Sequence, residues 1–144
     1  MSIADVMTVR VVSVEPGDSV AYAIQRMVAE SIGAVVVCEL GRVVGIFSER
    51  DVLRLAGSSE AFTNRRVDEV MTRRPMTVAP DDDIVAVARL MGERQVRHLP
   101  VVEGDRLLGI VGARDVMGAL VERLWRTHDE QAHETARALL LRSH

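Results

Sequence analysis

The sequence predicts an α/β (α+β) fold built from two tandem copies of one strand–helix–strand–strand–helix unit, followed by a C-terminal helix. Three observations carry this. The chain matches itself without a gap when shifted by 64 residues. Each copy places one stretch of helical periodicity among short apolar runs of strand length. Of the 144 residues, 48% are hydrophobic but only 3% aromatic, so any core is filled by small aliphatic side chains and Met.

The self-match sets the domain organisation. Val6-Met7-Thr8 falls on Val70-Met71-Thr72, Val14-Glu15-Pro16 on Val78-Ala79-Pro80, and Met27 on Met91. Val37 falls on Val101, Gly45-Ile46 on Gly109-Ile110, and Arg50-Asp51-Val52 on Arg114-Asp115-Val116. About one position in three is identical between 6–52 and 70–116. The division that follows is repeat 1 over 1–60, repeat 2 over 61–120 and a helical tail over 121–144.

Each element has a local reason. A first strand is expected at 11–14 and again at 76–78, each ending near a proline, Pro16 or Pro80. Asp18-Ser19 and Asp81-Asp82-Asp83 then supply helix N-caps and first-turn acids. Val20, Ala23, Ile24, Met27 and Val28 follow the i, i+3, i+4, i+7, i+8 spacing of one helical face, and Ile84, Val87, Ala88 and Met91 repeat it. Apolar runs at 34–38 and 99–102 read as buried strands. Turns at 40–42 and 104–106 lead each into a further apolar strand, giving a hairpin per repeat. Second helices start near Ser48 and Gly112, and 57–64 is the linker. Leu120, Leu124, Ala136, Leu139 and Leu140 predict a long or broken helix over about 117–142 with a polar middle at 127–134, whose apolar ends cover a partner subunit or the protein's own core.

Composition excludes several function classes. The formal charge of −3 arises from 18 basic and 21 acidic residues, and every base is Arg. That balance offers no field for nucleic acid, although local Arg clusters can hold phosphate. Four aromatic residues provide no base-stacking platform. No apolar run reaches the roughly 18 residues of a membrane span, and the first residues lack the order of a signal peptide. The single Cys38 cannot form an internal disulfide. Together these predict a cytoplasmic protein with no membrane and no nucleic-acid partner. Cys38 lies in the apolar run Val35-Val36-Val37-Cys38, the setting of an inert thiol. No metalloprotease, P-loop or nucleophile-elbow pattern occurs. His128, Asp129, Glu130, His133 and Glu134 cluster in the tail, but the two histidines do not share a helical face, so a solvated helix is the default and no metal is assigned.

Across Gly45-Ile46-Phe47-Ser48-Glu49-Arg50-Asp51-Val52 the sequence resembles the CBS-domain family, and the likeness extends over both repeats, about residues 3–120. It rests on a Val-x-x-Val-x-Pro-type opening strand, a strand of the kind Arg97-His98-Leu99-Pro100-Val101-Val102, and Gly-x-x-Ser/Thr-x-x-Asp, in that order and twice. The resemblance implies two repeats packed with pseudo-twofold symmetry as a Bateman module, and a homodimer. It implies regulation, not catalysis, through an adenosine-containing ligand (AMP, ADP, ATP, S-adenosylmethionine or NAD) bound in clefts between the repeats. No cofactor is required, and any effect falls on a separate regulated protein.

The residues support such a site on physical grounds. Asp51 and Asp115, one turn into a helix, can accept hydrogen bonds from ribose hydroxyls. Ser48 at a helix start can meet a ribose or phosphate oxygen. Arg97 and His98, and Arg114 beside Asp115, can meet phosphate. The stretches Thr8–Val12 and Thr72–Thr77, with Gly33, are expected cleft walls by the family resemblance. Because repeat 2 has Gly112 for Ser48 but carries Arg97 and His98, the Asp115 cleft is expected to favour phosphate and the Asp51 cleft ribose. Two alternatives stay open. Ser48-x-x-Asp51 is equally a helix capping box, and His98 is either a pH-responsive phosphate contact or a neutral strand-edge residue. Arg73-Arg74 reads as two solvated arginines before Pro75, with added charge at one cleft mouth as the alternative. Met27 and Met91, matched across the repeats, read as packing. A structural or protein–protein interaction module that binds nothing small is the alternative function.

Overall fold

A computed structural model describes residues 1–58 and 61–142, without the side chains of 132 and 139–142. Repeat 1 contributes β1 (Ser13–Val14), α1 (Val20–Glu30), β2 (Ala34–Glu39), β3 (Arg42–Ser48) and α2 (Glu49–Ala56). Repeat 2 contributes α3 (Val67–Val70), β4 (Thr72–Arg73), α4 (Ile84–Arg94), β5 (His98–Glu103), β6 (Arg106–Gly112) and α5 (Ala113–Arg142). The strands form one sheet in the order β1-β2-β3-β6-β5, with β4 also on β3.

The two hairpins meet end to end. β3 pairs with β6 at Arg42 opposite Arg106, residues separated by the repeat shift, so the pseudo-twofold axis passes between them. Val43 N–H donates to the Asp105 carbonyl at 3.0 Å and Leu107 N–H to the Gly41 carbonyl at 3.2 Å, while Arg42 pairs with Asp105 at 2.8 Å.

Each core takes in the opening turn of the other repeat. Ile3, fully buried, packs with Val78, Ile84, Val87, Met91, Leu99, Val101, Val111 and Val116 of repeat 2. Val67 packs with Val14, Val20, Ala23, Met27, Val35, Val37 and Phe47 of repeat 1. Main-chain bonds fasten both exchanges: Ile3 N–H to the Asp82 carbonyl at 2.9 Å, and Val67 N–H to the Asp18 carbonyl at 2.8 Å. Burying an aliphatic side chain of this size is worth about 1.5–3 kcal/mol, so these crossings tie the repeats into one body.

Several expectations need correction. The first strand of repeat 1 is shorter than 11–14, and 76–78 is no strand but a single parallel bridge from Val78 to Val101. In repeat 1 the Val36 N–H donates to the Val12 carbonyl at 3.2 Å. The matching residue on β5 is Pro100, which has no N–H to offer Met76. Ser19 and Asp83 are the N-caps, whereas Asp18 and Asp82 accept the N–H of Glu15 and Ala79 in the preceding turn. Val28 is exposed, lying off the face that buries Val20, Ala23 and Met27. The second helix of repeat 2 and the tail are one continuous α5, about 45 Å long. Leu120 packs on the repeat-2 core, but Leu124 does not and is exposed, because the helix has left the body by then. The side chains of Leu139 and Leu140 lie outside the described residues.

Candidate functional site

Two clefts open at the seam between the repeats. Each starts where a hairpin strand enters a helix. In repeat 1, β3 ends at Ser48, and Asp51 in the first turn of α2 turns back to it. Asp51 Oδ2 accepts the Ser48 N–H at 2.8 Å and the Ser48 hydroxyl at 3.2 Å, while Oδ1 pairs with Arg54 one turn on. Asp51 is 4% exposed and is the one buried charged residue among those described. The remaining walls of this cleft of about 610 Å³ come from repeat 2: Thr72, Pro75, Met76 and the segment 95–98.

The Asp115 cleft, about 560 Å³, mirrors this arrangement. Its walls come from repeat 1, with Thr8, Arg10, Val11 and Val12 on one side and the segment 31–34 on another. Thr8 is held by paired main-chain bonds with Ile110 at 2.8 and 3.0 Å. Asp115 itself is exposed and makes no side-chain hydrogen bond among the described residues. Two substitutions across the repeat remove donors that Asp51 has: Gly112 stands where the Ser48 hydroxyl does, and Gly118 where Arg54 does.

Gly33, Glu49, Arg97 and His98 line both clefts. They sit together because α2 and α5 start beside the opening residues of β2 and β5, fixed by Glu49 N–H to the Gly33 carbonyl at 3.0 Å and Ala113 N–H to the Arg97 carbonyl at 2.7 Å. A Cβ on Gly33 would stand 3.0 Å from Glu49 Oε1 and 3.1 Å from His98 Cε1, so any larger residue would push these two side chains aside by a few tenths of an ångström. Arg97 and His98, expected from the sequence to favour phosphate in the Asp115 cleft, therefore line the Asp51 cleft as well. Residues at the start of β5 lie beside the axis and face both ways. Burial holds His98 below the usual imidazole range, against the opposing pull of Glu49 and Asp115 and with the help of Arg97.

The CBS domain model matches residues 3–58 and again 67–122. The chain belongs to the CBS-domain family. The CBS domain-containing protein YhcV of Bacillus subtilis is 30% identical over 115 residues, spanning 80% of this chain and 82% of that one. A CBS-domain-containing protein from Agrobacterium tumefaciens superposes with a TM-score of 0.75 at 32% identity, covering 83% of this chain and 98% of that one. CBSX2, solved in complex with AMP, gives a TM-score of 0.73 at 27% identity over 84% of this chain and 96% of its own. Against two longer relatives, from Thermofilum pendens and Methanococcoides burtonii, the chain spans only 31% and 23% of their length.

Within this CBS pair, the residues singled out from sequence separate into two groups. Ser48, Asp51, Thr72, Arg97, His98 and Gly33 share the first cleft; Thr8, Val12, Gly33, Arg97, His98, Arg114 and Asp115 share the second. Arg73 and Arg74 stand outside both, and Arg73 donates to the Asp68 carbonyl at 2.8 Å. Cys38 is half-buried, not fully buried, and burial pushes its thiol up, away from thiolate. Among the described residues, no group of three or more His, Cys, Asp or Glu side chains is placed to hold a metal, the tail cluster included. No helix among them is long and apolar enough to cross a membrane. Sequence reasoning missed Glu49 and Arg54 as cleft residues. The repeat overlay held the signal for both, since Glu49 and Arg54 face Ala113 and Gly118 on either side of the identical Arg50-Asp51-Val52.

Proposed function

We propose that this CBS pair is a regulatory module that binds an adenosine-containing ligand in the clefts between its repeats and signals to a separate partner protein. The observation that carries the reading is the Asp115 cleft: an unengaged carboxylate in a first helical turn, three arginines (Arg10, Arg97, Arg114) and an apolar wall at Val11, Val12 and Ile32, drawn from both repeats. Ribose, phosphate and adenine each find their chemistry there. The AMP complex of CBSX2, a relative of the same fold, supports the ligand class.

The mechanism is differential affinity. A ligand touching both repeats favours the packing in which its contacts are complete, so occupancy shifts the population of arrangements that a partner can read. The reading takes the module as a homodimer. Met117, Val121, Leu124 and Trp125, exposed at i, i+4, i+7 and i+8 on α5, are a contact surface suited to it.

Thermal-shift and calorimetric titration with AMP, ADP, ATP, S-adenosylmethionine and NAD tests this. At least one adenosine ligand raises the melting temperature, and Asp115→Ala removes most of the gain. No shift with any of them at millimolar concentration overturns the reading in favour of an interaction module that binds nothing small. Size-exclusion mass measurement with and without the best ligand reports the dimer.

A further inference from the structure

Arg54 has no counterpart in repeat 2, where the matching residue is Gly118, and it stands at the one carboxylate oxygen of Asp51 that Ser48 leaves open. We propose that Arg54 is a built-in competitor for the ligand's ribose, so that the chain takes one adenosine nucleotide, in the Asp115 cleft, and keeps the Asp51 cleft self-occupied. This rests on the adenosine-binding reading above and decides which cleft fills first.

A ribose approaching Asp51 finds Oδ2 bonded twice to Ser48 and Oδ1 held by a guanidinium. Hydroxyls replacing that guanidinium exchange an ion pair, charged on both sides, for bonds in which only the carboxylate carries charge. The other cations of the cleft do not compensate. Arg50 donates to the Gln95 carbonyl at 3.0 Å, and Arg97 is shared with the Asp115 cleft. A nucleotide already in the Asp115 cleft claims Arg97 first, leaving Glu49 on the common wall to repel a second phosphate. The Asp115 cleft shares Glu49 and Arg97 but its own groups are not engaged: Asp115, Arg10 and Arg114 make no side-chain hydrogen bonds among the described residues.

Calorimetry with AMP on the full chain decides it. The wild type is expected to bind one AMP per chain, and Arg54→Ala two, the new site tightening by about tenfold or more, the worth of one charged hydrogen bond. Asp115→Ala is expected to lose the wild-type site, and the double variant with Arg54→Ala to regain one. Arg54 is 70% exposed, so its removal spares the core, and Arg54→Gln provides the same test should Arg54→Ala lower the melting temperature. Two equal sites in the wild type, or one site in both Arg54 variants, overturn the proposal while leaving adenosine binding intact. No binding by wild type or variants overturns the functional reading beneath it as well.

Discussion

Asp51 and Asp115 are the same residue at the same place in the same repeated helix start, and they live in opposite environments. Asp51 is 4% exposed and bonded on both oxygens, whereas Asp115 is exposed and unengaged among the described residues. The first carboxylate holds α2 onto the end of β3; the second holds nothing. A duplicated motif has thus been divided into a structural copy and an available one, through changes at positions 112 and 118 and not at the aspartate. Identity at a motif position says which chemistry is present. Its neighbours three residues either side decide whether that chemistry is spent internally.

The sharpest way to break this comparison is to delete each carboxylate in turn. Asp51→Ala removes the bonds to Ser48 and leaves Arg54 without its partner, at a cost of about 2–3 kcal/mol in urea unfolding. Asp115→Ala costs no more than about 0.5 kcal/mol, the range of surface substitutions. Ligand binding should run the other way, lost in Asp115→Ala and kept in Asp51→Ala. Equal destabilisation by the two would show that the copies are not divided as argued.

The paired glycines Gly45 and Gly109 give a second, smaller contrast. A Cβ at Gly109 would lie 2.8 Å from the Thr8 carbonyl oxygen, a main-chain atom in the wall of the Asp115 cleft. At Gly45 the nearest atom is Met71 Sδ, closer still but on a side chain with three rotatable bonds. Gly109→Ala should therefore cost about 1–3 kcal/mol, the range for overpacking, and weaken ligand binding by moving Thr8. Gly45→Ala should cost less, because Met71 can swing aside while Thr8 is pinned to Ile110 from both directions. Paired unfolding curves check the order.

These contrasts also mark what the sequence could disclose. The two helical faces were legible because Val20, Ala23 and Met27, and Ile84, Val87 and Met91, obey a period that only a helix satisfies with one buried side. The hairpins were legible from apolar runs broken by Gly41 and Gly104, both at positive φ. Residues 76–78 misled because their ladder depends on a partner strand, and Pro100 on that partner lacks the donor. Asp51, Asp115, Arg97 and His98 could be named from their motifs. That the last two face both clefts could not, because it follows from the axis on which β2 and β5 start, a tertiary fact with no local trace.

The smallest effect concerns His98, whose counterpart in repeat 1 is the buried Ala34. Burial lowers the imidazole below its ordinary value near 6.5, outweighing the attraction of Glu49 and Asp115. The unfolded chain then binds the proton more readily than the folded one, so stability rises with pH across that interval. The contribution is complete above the unfolded value and is lost as pH falls through it toward the lower folded value. His98→Ala should flatten the dependence of the melting temperature between about pH 7.5 and 5 relative to wild type. A slope of opposite sign that vanishes in the variant would mean that Glu49 and Asp115, not burial, govern the ring, and that the shared wall carries a charged histidine into both clefts.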